Sequence, residues 1–170
     1  MAAIVLDKNE IRELVRLFRN VFAFTDRLRK RSKLAKWITF PRISQVLSES
    51  LLVQLIREGK LLKELHGVID VTRHGGKQPN IVVRTKTRVY KVEAKATGAS
   101  AFEAFGKKDL NADYLLWAHF GDFFLQKGKR KIQIYVLRNP GGYYRKPTKL
   151  NLQMLQKKVG SKLRLIEIEF

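Results

Sequence analysis

The sequence has no cysteine among its 170 residues, and only 11 glycines and four prolines. The lack of cysteine excludes a disulfide framework, a thiolate nucleophile, and zinc or iron–sulfur sites built on cysteine. With 45% hydrophobic residues, the chain is also unlike collagen-like, low-complexity or disordered proteins. No apolar run approaches the ~18 residues of a membrane span, and the N-terminus becomes charged too early for a secretory signal. We expect a soluble, cytoplasmic protein of one domain that does not associate with membranes.

Acidic residues are scarce as well. Lysine and arginine number 35 against 15 aspartates and glutamates, which gives a net charge of +20. Six basic residues fall between Arg27 and Lys36, and the segment between Asp122 and Glu167 has no acidic residue. Solvated surfaces normally mix both signs, so charge of one sign over this length favours nucleic acid as the partner. An anionic membrane surface, or solubility alone, is the weaker interpretation.

The hydrophobic pattern changes its period along the chain. A helical period covers residues 8–36 and 42–58, with a further helical turn at 60–65 and a helix near 149–158. Strand patterns cover 67–74, 80–83, 89–97, 113–120, 131–137 and 163–170, and residues 99–110 fit a short helix or an irregular crossover. The order predicts a mixed α/β domain. We expect Trp37 and Trp117 to lie in its core.

The segment VYKVEAKAT (89–97) has the clearest strand pattern, because apolar and charged residues alternate along it. Glu93 and Lys95 are two positions apart, so their side chains share one face of the strand, about 6–7 Å apart. They would face one reacting centre together, unless this face is solvated and they form an ordinary ion pair. A second Glu-x-Lys, at 58–60, falls at a helix end and is assigned no chemistry.

Glu49 lies on the helix predicted over residues 42–58. It shares a side of that helix with Val46, Val53 and Ile56, so we expect it at the edge of the buried stripe. A buried carboxylate needs a partner. It therefore contributes to a site, or it pairs with Arg42 or Lys60.

Four segments, SESLLVQLI, GGKQPNIVV, YKVEAKAT and KKDLNADYLLWAHF, together resemble the PD-(D/E)xK nuclease superfamily. Within it the chain looks most like a type II restriction endonuclease. The resemblance covers about residues 42–137 and implies a restriction-endonuclease-like core, a mixed central sheet flanked by helices. Residues 1–41 would form an added N-terminal helical arm, and residues 138–170 a basic C-terminal extension.

The resemblance also implies a Mg²⁺-dependent, or other divalent-cation-dependent, site that cleaves double-stranded DNA. Lys95 would position or activate the attacking water and offset charge at the scissile phosphate. The implied catalytic residues are Glu49, Asn80, Glu93 and Lys95, and the implied metal ligands are Glu49, Asn80, Glu93 and the Ala94 carbonyl.

Asn80 departs from the family pattern, which has aspartate at this position. Three explanations stay open: an inactivating substitution introduced for crystallisation with substrate, a natural neutral ligand, or a missing carboxylate supplied by Asp70 on the preceding strand. An asparagine removes one negative charge from the site, so affinity for a divalent metal should fall.

Four cations are candidate DNA contacts: Lys107, Lys108, Arg145 and Lys146. The alternative for Lys107 and Lys108 is a solvated turn without DNA contacts. The alternative for the loop at 139–147 is a packed corner that does not enter a DNA groove. A restriction enzyme acting on a palindrome would be a homodimer, and the N-terminal helices are candidates for dimerisation or DNA wrapping. The alternatives are a Holliday junction resolvase of the same superfamily and a non-catalytic nucleic-acid-binding protein.

Overall fold

The chain folds as a mixed α+β structure in this computed structural model, which describes residues 3–31, 33, 37–76, 79–98, 101–126 and 128–169. The helices are α1 (Lys8–Arg31), α2 (Gln45–Arg57), α3 (Lys107–Leu110) and α4 (Leu152–Val159). The strands are β1 (Val68–Arg73), β2 (Ile81–Thr85), β3 (Val89–Thr97), β4 (Glu103–Phe105), β5 (Tyr114–His119), β6 (Lys131–Arg138), β7 (Thr148–Leu150) and β8 (Arg164–Glu169).

Six strands form the main sheet in the order β1-β2-β3-β5-β6-β8. Strands β3 and β5 run parallel, and the other neighbouring pairs are antiparallel. The crossover between β3 and β5 contains β4 and α3, and β4 pairs with β7 in a separate two-stranded ribbon. The parallel register places Glu93 beside Leu115 and Lys95 beside Trp117.

The main sheet has a hydrophobic cluster on each face. On one face, α1 and α2 pack against β1–β3 and β5–β6, with Leu47, Leu52 and Val92 fully buried. On the other face, α4 and the β4–β7 ribbon pack around Trp117, which is also fully buried. The prediction that Trp117 lies in the core is confirmed. The same prediction for Trp37 is wrong, because that side chain is 87% exposed.

Local sequence signals fix the ends of α2. The Ser44 hydroxyl accepts a hydrogen bond from the Leu47 amide at 3.4 Å, which caps the N-terminus. The chain leaves the helix through Gly59, whose φ of +66° favours glycine. Between these ends, the residues from Leu47 to Val53 are all buried. Glu49 is therefore held inside the protein by the packing of the helix that carries it.

The strand predicted over 89–97 is confirmed with the same bounds. The helix predicted over 8–36 is α1, which ends at Arg31, and residues 32 and 34–36 of the predicted range lie outside the described part. Residues 60–65 form turns and no helix, so that prediction is wrong. Beyond residue 137, β8 completes the main sheet as an edge strand beside β6. No helix in the described ranges is both long and apolar enough to cross a bilayer.

Candidate active site

Three elements bring their polar residues together at the start of β2. Asn80, which immediately precedes β2, donates its side-chain Nδ2 to Glu49 Oε1 on α2 at 2.6 Å. Its backbone amide donates to Glu93 Oε1 on β3 at 3.3 Å. The site therefore joins residues 31 and 13 positions apart in the sequence through direct hydrogen bonds, and Asn80 is the bridge between the two carboxylates.

Glu49 is 1% exposed and its carboxylate is fully paired. Oε1 accepts from Gln45 Nε2 at 2.6 Å in addition to Asn80, and Oε2 accepts from Arg73 Nε at 2.6 Å. The side chain of Arg73 is only 10% exposed, so this is a buried ion pair whose hydrogen bonds compensate its desolvation. The alternative that Glu49 pairs with Arg42 or Lys60 is wrong, because its cation is Arg73 on β1.

Glu93 has no solvent exposure, and its two oxygens differ. Oε1 accepts from the Asn80 backbone, whereas Oε2 faces Lys108 on α3. The Lys108 ammonium lies 3.4 Å from Oε2. Burial raises the pKa of Glu93 to about 7, and the positive charge of Lys108 opposes that rise while Asp109 adds to it. Near neutral pH the Glu93 side chain is therefore protonated in part of the molecules and deprotonated in the rest.

Lys95 points to the same face of β3 as Glu93, but it makes its contacts elsewhere. Its ammonium donates to the Ala104 carbonyl at 2.7 Å and lies 2.9 Å from Asp109 Oδ1. Asp109 is 2% exposed, and its other oxygen accepts from the Gly106 amide at 2.7 Å. Lys95 is therefore fixed by the crossover rather than by Glu93.

The short helix α3 supplies a partner to both members of the Glu-x-Lys pair. Lys108 faces Glu93 and Asp109 faces Lys95, so an acid–base pair on the strand meets an oppositely ordered pair on the helix. Asp109 was not selected from the sequence, although it lies in the segment KKDL that follows the strand. The signal that would have found Asp109 is Lys95, because a lysine on a buried strand face needs an anionic partner.

The face of β3 that carries Glu93 and Lys95 is covered rather than solvated. Glu93 is buried, and the side chain of Lys95 is 13% exposed. The alternative of an ordinary ion pair on a wet strand face is therefore wrong, since the two residues do not pair with each other and neither faces bulk solvent.

Asp70 and Ala94 take different positions relative to this site. Asp70 is exposed near the far end of β1, opposite Arg84, and its side chain points to the sheet face opposite that of Arg73. Asp70 does not reach the cluster.

The Ala94 amide donates to Asn80 Oδ1 at 3.3 Å. In a strand, a residue's carbonyl points to the same edge as its amide, so the Ala94 carbonyl also faces the cluster.

The candidate DNA contacts are all outside this cluster except Lys108. Lys107, Arg145 and Lys146 are exposed, and Lys108 is half-buried against Glu93. Tyr144 packs its ring 5.1 Å from that of Phe105, centroid to centroid. The loop at 139–147 is therefore a packed corner that carries two outward-facing cations.

The oxygens that face the cluster are those a hard cation prefers. They are the Glu93 carboxylate, whose Oε1 accepts from the Asn80 backbone and whose Oε2 faces Lys108, Asn80 Oδ1, which accepts from the Ala94 amide, and the Ala94 carbonyl. Within the described part of the chain, no three His, Asp or Glu side chains are placed together as a metal-binding group. A cation held here would therefore depend on one carboxylate and on neutral oxygens.

Comparison with known proteins gives no family for this chain. No protein-family model and no curated protein matches the sequence.

Proposed function

We propose that this chain is a metal-dependent endonuclease of the PD-(D/E)xK superfamily that hydrolyses phosphodiester bonds of double-stranded DNA, most like a type II restriction enzyme. One observation carries the proposal. Glu49 on α2, Asn80 just before β2 and Glu93 on β3 meet in a buried, hydrogen-bonded cluster. The mixed sheet with helices on both faces is compatible with a restriction-endonuclease-like core, and the net charge of +20 suits a polyanionic substrate.

The residues of the cluster fit a Mg²⁺ ion by the chemistry of their oxygens. Glu93, Asn80 and the Ala94 carbonyl would hold the ion, and Glu49 lies next to them through its hydrogen bond with Asn80. A bound divalent cation supplies an activated water and neutralises charge at the phosphate. A carboxylate must be deprotonated to bind a metal, and the pKa of Glu93 is raised to about 7 by burial. Affinity for the cation should therefore rise as the pH rises through 7.

Other residues of the chain would act on the scissile phosphate and on the rest of the DNA. The Lys95 ammonium is held on the same strand face as Glu93 by Asp109 and Ala104. From there it offsets negative charge at the scissile phosphate and orients the attacking water. The exposed cations Lys107, Arg145 and Lys146, together with Lys108, would contact the DNA backbone or bases.

Asn80 sets how strongly the site holds a metal. Its side-chain amide donates to Glu49 Oε1, and the Arg73 guanidinium neutralises the charge of Glu49. An aspartate at position 80 would add a second carboxylate next to Glu93 and remove that donor. We therefore expect weak metal binding by the chain as it stands, and stronger binding after Asn80→Asp.

The test is DNA cleavage by Asn80→Asp and by Asn80→Asp/Lys95→Ala, with circular dichroism to show that both variants are folded. With Mg²⁺ the single variant should cut plasmid DNA and the double variant should not, and chelation should abolish the cutting. Discrete fragments indicate a restriction enzyme, and cutting confined to four-way junctions indicates a resolvase. If the folded single and double variants behave alike and neither cuts any DNA, the nuclease proposal fails.

A second candidate is a nucleic-acid-binding protein without catalysis. It is favoured by the complete pairing of Glu49 with Gln45, Asn80 and Arg73, which leaves this carboxylate no need of a metal. This function requires duplex binding that is unaffected by chelation and falls steeply with salt, with log K changing by about 0.9 per log[salt] for each phosphate contacted. Fluorescence anisotropy over a salt series, with and without chelator, measures both properties.

A further inference from the structure

A cavity of about 440 Å³ lies at the edge of the main sheet where β3 and β5 begin and β6 ends. These strand ends meet because β5 is parallel to β3 and antiparallel to β6, with Tyr114 directly opposite Arg138. The volume lies within the range of small-ligand sites in proteins. The lining includes two arginines, two tyrosines and two asparagines: Arg88, Arg138, Tyr90, Tyr114, Asn111 and Asn139.

This cavity is separate from the cluster around Glu93. Tyr90 and Glu93 are three positions apart on β3, so their side chains point to opposite faces of the sheet. Glu93 and Lys95 lie on the face that α3 covers. Tyr90 and Tyr114 instead pack with the hydrophobic cluster on the face that carries α1 and α2. A ligand in the cavity would therefore leave the candidate active site open.

Aromatic and guanidinium surfaces lie together in the cavity. The rings of Tyr90 and Tyr114 are 6.1 Å apart, centroid to centroid, and the guanidinium carbon of Arg88 lies 4.9 Å from the centre of the Tyr90 ring. Arg88 also donates to Asp113 Oδ1 at 2.5 Å, which fixes its orientation. Nucleobases stack on tyrosine rings and on arginine guanidinium planes. The lining therefore favours a flat aromatic ligand.

The charges at the cavity favour an anion. The carboxylate of Asp113 is paired with Arg88, and Glu64, which lies close enough to affect Tyr114, is paired with Arg164 at 3.1 Å. Arg138 is exposed and forms no ion pair within the described part of the chain. A guanidinium can bind a phosphate through two parallel N–H groups. A flat base joined to a phosphate is a nucleotide.

The hydroxyl of Tyr114 adds a hydrogen-bonding group for which the protein supplies no partner. This residue is 2% exposed, and no hydrogen bond joins its hydroxyl to another residue that the structure describes. Burial raises the pKa of Tyr114, so the hydroxyl keeps its proton and can donate it at neutral pH. Buried tyrosine hydroxyls usually have a partner. Asn111 and Asn139 add amides, each with a donor and an acceptor for a base edge.

We propose that this cavity binds one nucleotide, either free or as an unpaired residue of a nucleic acid strand. The base stacks on Arg88 and Tyr90, its edge meets Tyr114 and the two asparagines, and Arg138 binds the phosphate. The site does not depend on the proposed nuclease activity, because it requires neither Mg²⁺ nor the cluster around Glu93.

Saturation-transfer NMR with 5′-AMP in chelating buffer tests the site. The wild type should show saturable binding with transfer to the purine protons. Arg138→Ala should weaken binding about tenfold or more, Tyr90→Leu about fivefold or more, and Tyr114→Phe about three- to tenfold. Circular dichroism shows whether each variant is folded.

Two matched controls remove the same groups outside the cavity. Lys157→Ala removes an exposed cation on α4, and Tyr135→Phe removes a hydroxyl that is bonded to Gln133 on the other face of the sheet. Both variants should bind AMP as the wild type does. The proposal is overturned if the folded wild type binds no AMP and no single-stranded DNA, or if Lys157→Ala weakens binding as much as Arg138→Ala does.

Two competitors identify the ligand. Inorganic phosphate that displaces AMP at equal concentration would show that the cavity binds an anion only, which also overturns the proposal. The oligonucleotide (dA)6 without terminal phosphates distinguishes the two sources of a nucleotide. Tighter binding of (dA)6 than of AMP, lost in Tyr90→Leu, identifies a nucleic acid strand, and tighter binding of AMP identifies the free nucleotide. Binding of (dA)6 alone that Tyr90→Leu leaves unchanged contradicts the site.

Discussion

Replacing Glu93 by glutamine should make the protein more stable at alkaline pH. Burial raises the pKa of Glu93 from 4.5 to about 7, so the folded protein binds a proton here more tightly than the unfolded chain does. Below pH 4.5 the carboxyl is neutral in both states and costs nothing. As the pH rises from 4.5 to 7, stability is lost, and above 7 the loss is constant at about 3 kcal/mol.

Glutamine removes this cost because it stays neutral, and its oxygen still accepts from the Asn80 amide. Its amide group would face Lys108, which is 3.4 Å from Oε2 in the wild type, so part of the gain is lost. We expect Glu93→Gln to exceed the wild type by about 1–3 kcal/mol at pH 8, or several degrees in Tm, and by nothing near pH 4.5.

The assay is thermal unfolding followed by circular dichroism in chelating buffer across pH 4.5–8. Glu167→Gln is the matched control, because Glu167 is a partly exposed acid paired with Lys131 at 3.1 Å and should change stability by less than about 1 kcal/mol at any pH. The buried carboxylate does not destabilise the protein if the difference between Glu93→Gln and the wild type does not grow with pH, or if the variant is the less stable protein at pH 8.

Two further substitutions test the structure around the site. Arg73→Leu leaves the buried Glu49 carboxylate without its cation and should cost about 3–5 kcal/mol in chemical denaturation; adding Glu49→Leu should recover most of the loss, and no recovery would contradict the buried pair. Gly141→Ala places a Cβ 2.4 Å from the Leu110 carbonyl oxygen and should cost about 1–3 kcal/mol. Gly128→Ala, whose Cβ meets nothing within 4 Å, serves as its control, and equal Tm values for the two would show that the close approach does not exist.

The sequence predicted elements whose pattern is long enough to show a period. Strand β3 alternates over nine residues and was found with its bounds intact. Strands β4 and β7 were missed because each has three residues and they pair with each other across 45 positions of the chain. No local pattern can show such a pair, since its stability comes from a distant partner and from the cluster that it covers.

The same limit applies to the candidate site. The helical spacing of Glu49 predicted that it lies near the core and needs a partner, but not that the partner is Arg73, which is brought to it by sheet packing. The spacing of Glu93 and Lys95 placed them on one strand face. It did not show that α3 covers this face and binds Lys95 through Asp109, because that contact depends on how the crossover folds back.

A crystal of Asn80→Asp soaked with Mn²⁺ would show by anomalous scattering whether Glu49, residue 80 and Glu93 form a metal site. We expect a peak within about 2–2.5 Å of the Glu93 carboxylate and of the new carboxylate at position 80, with the Ala94 carbonyl beside it. A map in which Glu49, residue 80 and Glu93 stay together and no peak lies among them would contradict a metal site at this cluster.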